Sequence, residues 1–254
     1  MAELAVTRQN KNKYVKNNML TIDEDEAETI TKLCCGGMNI SSMDLSKCVN
    51  LKYLDCGENN ISSIDLSNCV NLKYLCCYRN NRISLIDLSN CVNIEKIDCS
   101  YNKISSINLS NCVNLKKLNC SYNKMPSIDL SNCINLRELY CYNSKISSIN
   151  LSDCVNLREF YCSSNNISSI DLSNCVNITQ LNCSYNKISS IDLSNCINLK
   201  IFHCAGNNIS SIDLSNCMNL RVFYCFRNNI LSMDLSNCIN LEFLNCDNNN
   251  ISSI

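Results

Sequence analysis

A mostly-β solenoid of short stacked coils is the fold this sequence predicts, and three observations carry the prediction. Cysteine recurs with a period of 21 residues through Cys56, Cys77, Cys99, Cys120, Cys141, Cys162, Cys183, Cys204, Cys225 and Cys246. The period is broken once, by one added residue near Asn80-Asn81-Arg82, and a first copy anchored at Cys35 makes about eleven units. Within a unit, apolar residues alternate with polar ones in two separate stretches, the period of strands and not of helices. The composition has the same origin: 23 Cys against four Gly, one Pro and no Trp in 254 residues is the bias of a short motif copied many times.

The elements of a unit follow in order along Leu51 to Asn71. Leu51-Lys52-Tyr53-Leu54-Asp55-Cys56 reads as a strand, with Leu54 and Cys56 inward and Tyr53, Asp55 and Gly57 outward. An asparagine follows three residues after the cysteine, at Asn59, Asn80, Asn102, Asn123, Asn165, Asn186, Asn207, Asn228 and Asn249. A buried amide there can bond the backbone groups freed as the chain leaves the strand. Met38 and Ser144 interrupt this column, and their turns are expected to be the least well hydrogen-bonded. The stretch Ile61 to Leu66 alternates again, with Ile64 and Leu66 inward, and predicts a short extended segment on the back of the coil. Ser67-Asn68-Cys69 then closes it through a tight 3-10-like turn. No unit buries enough apolar surface to fold alone, so the coils must stack.

The ends need covers. Thr21-Ile22-Asp23-Glu24 fits a capping box, which predicts a short capping helix from Ile22 to about Thr31. The expected organisation is an N-terminal tail and cap over 1–29 and a solenoid over 30–254. The sequence stops at Ile254, halfway through a unit, leaving Leu241, Leu244, Cys246, Ile251 and Ile254 facing open space. An end-to-end homodimer through that coil is one expectation, and a longer array is the other.

The unit L-x-x-L-x-C-x-x-N-x-I is similar to the leucine-rich repeat signature. Its 21-residue length and its cysteine in place of the third leucine resemble the cysteine-containing repeats of internalin J-like bacterial proteins. The resemblance runs from Ile30 to Ile254. It implies a right-handed solenoid with a parallel concave sheet that recognises a protein partner. The second cysteine column, Cys48 to Cys238, goes beyond that family's basic pattern.

Composition narrows the function further. A formal charge of −1 excludes a strongly basic nucleic-acid binder, and no segment is apolar enough for a membrane span. The first twenty residues hold no secretory apolar run, the cysteine count is odd, and sequons such as Asn60-Ile61-Ser62 and Asn208-Ile209-Ser210 would crowd a stack with glycan. A cytoplasmic location is therefore expected, in the protein's own cytosol or after delivery into another cell.

The columns that vary point to the site. Back positions repeat as ISSIDLSNC, whereas the outward strand positions change from unit to unit. Ten of the eleven tyrosines fall around L-x-C, and Tyr and Arg often anchor interfaces. Two candidate clusters result. The central one holds Tyr140, Tyr142 and Tyr161 flanked by Arg137, Glu138, Arg158 and Glu159. The other, more apolar, holds Ile201, His203, Val222, Tyr224, Phe226, Arg227 and Phe243. For Tyr101, Tyr122 and Tyr185 a cross-strand stabilising role is preferred.

Other chemistries find less support. The column cysteines read as close-packing hydrophobes. Cys34 and Cys76, outward on either side of Asp55, are too far apart to share a metal, and a reactive surface thiol is the expectation there. No cofactor and no metal are expected. His203 is the only histidine and there is no Gly-rich phosphate loop, so no catalytic residue is assigned. A purely structural solenoid, an ice- or adhesion-type surface on the serine columns, and a thiol-based metal or redox role remain as alternatives.

Overall fold

Each coil owes its strand to three residues whose middle member is large and apolar and whose neighbours face outward. The computed structural model describes residues 2–253 and divides into two compact units, 1–125 and 126–254. Ile254, placed at the open end by the sequence, lies outside the described residues.

In the first unit the strands Ile30–Cys34, Tyr53–Asp55, Tyr74–Cys76, Lys96–Asp98 and Lys117–Asn119 pair in parallel and in register. Their inward residues Leu33, Leu54, Leu75, Ile97 and Leu118 form one fully buried column. On the back, Leu85–Asp87 and Ser106–Asn108 pair in the same way.

The second unit repeats the arrangement with Glu138–Tyr140, Glu159–Tyr161, Gln180–Asn182, Ile201–His203, Val222–Tyr224 and Phe243–Asn245. Phenylalanine replaces leucine inside at Phe160, Phe202 and Phe223, and the last two rings stack at 5.4 Å. Ser127–Asp129 and Ser148–Asn150 form its back pair. Among the other back segments, Ser42–Met43 pairs with Met19–Leu20 and Ser232 bridges to Ser253. In the last coil Leu244 is 37% exposed.

The closing turn is two successive i→i+3 hydrogen bonds, Cys175 N to Leu172 O and Ile178 N to Cys175 O, not a continuous 3-10 helix. The asparagine column behaves as predicted. Asn186 Nδ2 donates to the carbonyls of Cys162 and Cys183, each at 3.0 Å, and its Oδ1 accepts from Ile167 N at 3.0 Å. This clamp sits beside a left-handed residue in coil after coil, such as Ser164, Tyr185 and Arg227 at φ 56, 57 and 56°. Such a conformation costs a non-glycine residue about 1 kcal/mol, and the clamp holds it in place. Two further asparagine ladders were not foreseen: on the back, Asn195 Nδ2 donates to Ser173 O and Asn198 Nδ2 to Val176 O.

Three expectations need correction. Met38 and Ser144 are not weak points, because their amides are held by Oδ1 of Asn59 and Asn165, each at 3.0 Å. The weak point is the added residue: beside Asn80-Asn81-Arg82, Asn102 Oδ1 is buried with no partner among the described residues. The capping helix is a single turn, Glu24–Ala27, with Asp23 and not Thr21 at its N-cap. Thr21 is bonded through its amide to Tyr14 O, and β-branched Ile30 and Thr31 already belong to the first repeat strand. Nor do residues 2–29 include a free tail. Ala2–Ala5 adds a strand beside Ile30–Cys34, and a hairpin of Val15–Lys16 and Met19–Leu20 turns through left-handed Asn17 and Asn18 onto Ser42–Met43.

Candidate functional site

Register turns sequence spacing into neighbourhood. In the second unit the outward strand positions form two columns. One runs Glu138, Glu159, Gln180, Ile201, Val222, Phe243, and the other Tyr140, Tyr161, Asn182, His203, Tyr224, Asn245.

The central cluster comes together. The rings of Tyr140 and Tyr161 stack at 5.1 Å, both half-buried. The Tyr140 hydroxyl donates to Glu159 Oε2 at 2.6 Å, and the Tyr161 hydroxyl donates to Gln180 Oε1. Burial, and then the Glu159 carboxylate, push the Tyr140 phenol above its ordinary pKa. These two tyrosines thus also brace the sheet. Arg137 and Arg158 are exposed just before their strands and make no ion pair among the described residues, while half-buried Tyr142 lies past the strand end.

In the second cluster, Val222 lies between Ile201 and Phe243, and His203 stacks on Tyr224 at 4.7 Å. Phe226 meets Tyr185 edge-on at 6.4 Å. That ring lies over Gly206, where a Cβ would come within 2.6 Å of it, so the left-handed glycine keeps the aromatic pair in place. Arg227 stands apart from the apolar part, exposed on the turn. Burial lowers the His203 pKa, and its Nε2 has no hydrogen-bond partner among the described residues.

Beside these residues the strand face dips. Ile201 and Val222 floor a groove of about 410 Å³ that Lys200, Arg221, Thr179, Gln180 and Glu242 complete. The sequence reading missed Lys200 and Arg221, although they occupy the same position of the repeat as Arg137 and Arg158, immediately before the strand. A second depression of about 300 Å³ opens by His203, Tyr185 and Phe226.

The cysteine columns are dry. Cys162 and Cys204 are fully buried and burial raises their thiols well above the usual range. The outward pair corrects an expectation: Cys76 is buried and pushed up to about 12, and half-buried Cys34 is also raised, both by desolvation. Burial makes both poorer nucleophiles, against the reactive thiol expected there. Among the described residues no group of three or more His, Cys, Asp or Glu could hold a metal, and no helix is long and apolar enough to cross a membrane.

Comparison with known proteins agrees with this geometry. The family described as Leucine Rich repeats (2 copies) matches residues 113–153 and 155–196. The functional domain of InlJ from Listeria monocytogenes, described as including a cysteine ladder, superposes with a TM-score of 0.85 at 29% identity, over 91% of this chain and 51% of that one. A leucine-rich repeat protein of Leptospira interrogans gives 0.82 at 18% identity, over 92% and 65%. YopM from Yersinia enterocolitica gives 0.72 at 24% identity, over 89% and 48%. The latter two show the fold alone, and this chain spans about half the length of the InlJ chain. Curated proteins give no match. A thiol beside each repeat strand, buried in every coil but the last, is what the chain has in common with a cysteine ladder, and it is a leucine-rich repeat solenoid of about eleven coils, internalin-like in build.

Proposed function

We propose that the protein is a non-enzymatic scaffold that holds a protein partner against the strand face of its second unit. Leucine-rich repeat folds are typically protein-binding scaffolds and generally non-enzymatic, which supports the class of function. One observation carries the choice of surface. Side chains that differ from coil to coil gather on the strand face, and there the outward column changes from half-buried Glu138 and Glu159 to half-buried Ile201 and Val222 and exposed Phe243. Phe243 is 58% exposed. Aromatic and aliphatic side chains next to arginine make the usual centre of an interface.

The test is affinity capture from an extract of the source organism with two variants. One carries Tyr140→Ala, Arg158→Ala and Tyr161→Ala, and the other Val222→Ser and Phe243→Ser. The second should lose the partner captured by the parent while keeping its far-UV spectrum and melting. The first should also melt lower, because Tyr140 and Tyr161 brace the sheet. Capture undiminished in both variants would reject this surface.

A further inference from the structure

The groove beside Ile201 and Val222 is chemically one-sided. Gln180 lines the groove, and with its Oε1 already accepting the Tyr161 hydroxyl its amide nitrogen is what remains to donate. Thr179 has given its hydroxyl hydrogen to Arg158 O, so its Oγ1 is left as a neutral acceptor among the donors. The Lys200 carbonyl is taken by the amides of Arg221 and Val222. Lys200 forms no ion pair among the described residues, and neither does Arg158 one coil before Thr179. The carboxylate in the lining, Glu242, is engaged by the Arg221 guanidinium at 2.6 and 2.8 Å. That pair is about half exposed on both sides, so it is weak and Arg221 can be shared with another anion.

A donor-rich cationic wall over an aliphatic floor asks for a ligand that brings acceptors, negative charge and apolar side chains together. We propose that this groove takes an extended acidic and aliphatic segment of the partner protein, its carboxylates on Lys200 and Arg221 and its aliphatic side chains on Ile201 and Val222. The inference rests on the strand-face reading above and narrows it to a partner chemistry. The aliphatic floor favours a peptide over a nucleic acid, whose bases would need aromatic platforms.

The full chain is titrated with fluorescent peptides alternating aspartate with leucine or lysine with leucine, and with a thymidine oligonucleotide. The acidic peptide should bind about tenfold tighter than the basic one at low salt, with the difference shrinking as salt screens it. Lys200→Glu with Arg221→Glu, both exposed, should reverse the preference without changing the melt. Equal binding of the two peptides, a preference that survives charge reversal, or tighter binding of the oligonucleotide would each overturn the proposal. Partner capture separates the two claims. Loss with Val222→Ser and Phe243→Ser but not with the charge reversal sinks the groove chemistry alone, whereas capture unaffected by either sinks the strand-face reading.

Discussion

Raising the pH from about 7.5 to about 9.5 should unfold this protein cooperatively, because thiols are packed among the leucines and isoleucines of its core in coil after coil. Cys162, Cys175, Cys183 and Cys196, from two successive repeats, have no exposed surface. Burial pushes Cys175 up to about 11, Cys183 and Cys196 to about 12, and Cys162 well above its usual range. A thiol in the unfolded chain ionises near about 8.5. The folded state therefore binds more protons than the unfolded one above that pH. Stability is at its full value below about 8.5 and falls progressively between there and about 12. One pH unit into that window each buried thiol costs about 1.4 kcal/mol, so a coil with two loses about 3 kcal/mol. Four such coils lose roughly as much as the 5–15 kcal/mol that stabilises a typical domain. Thermal melts by circular dichroism, in reductant and at closely spaced pH values, read this directly. Cys175→Ala supplies the internal control: its destabilisation at neutral pH should shrink by about 1.4 kcal/mol at a pH of about 9.5. A melting temperature that stays level between about pH 8 and 10 would refute the idea that these thiols are buried and neutral.

The remaining predictions concern single columns. Asn186→Ala should cost about 3 kcal/mol in urea melts, since it leaves the carbonyls of Cys162 and Cys183 and the Ile167 amide without their partner. Asn102→Ala should cost about 1 kcal/mol less, because Asn102 Oδ1 has no partner among the described residues. Hydrogen bonds from the Ser194 amide and hydroxyl hold the Asp192 carboxyl below its ordinary pKa, so its contribution is present above about 3.9 and lost as the pH falls. Asp192→Asn should flatten the acid limb of the stability profile and leave neutral stability unchanged, as Asn150 already accepts the equivalent Ser152 amide at 3.0 Å. A thiol-reactive dye should label half-buried Cys34 and Cys246 before any other cysteine, and reach the rest only on unfolding. Mapping by mass spectrometry checks the order.

The coil was legible because its causes are local and copied. Alternation in Leu51 to Cys56 fixes which side chains go inside, and the asparagine at Asn59 marks where the chain must turn. Departures were legible only where no neighbouring coil intervened. Met38 and Ser144 looked weak on their own, yet the bond they need comes from Asn59 and Asn165 of the following coil. The N-terminal residues misled for a related reason. Thr21 to Glu24 satisfies a local helix rule, but Ile30–Cys34 offered Ala2–Ala5 a free sheet edge, and the ladder outweighed a longer helix. In the candidate site, Tyr140 with Tyr161 and His203 with Tyr224 followed from the period alone. The groove did not, because its cations sit one position before the strand, outside the columns that hold the aromatic residues.

Variation on one face of a repeat protein has a simple cause that is not function. On the back, Asn195, Asn198 and Asp192 each hold a hydrogen bond, so few substitutions there are neutral. On the strand face the ladder is made by the backbone and side chains are free to drift. Tolerance alone, however, predicts drift toward polar residues, as at Lys96 and Lys117 in the equivalent column of the first unit. In the second unit the same column carries Ile201, Val222 and Phe243 in unbroken register. Placing three apolar side chains side by side on an outward face lowers solubility and adds nothing to the inward core. It is this direction of change, not variability as such, that supports the proposal of a partner on the strand face of the second unit.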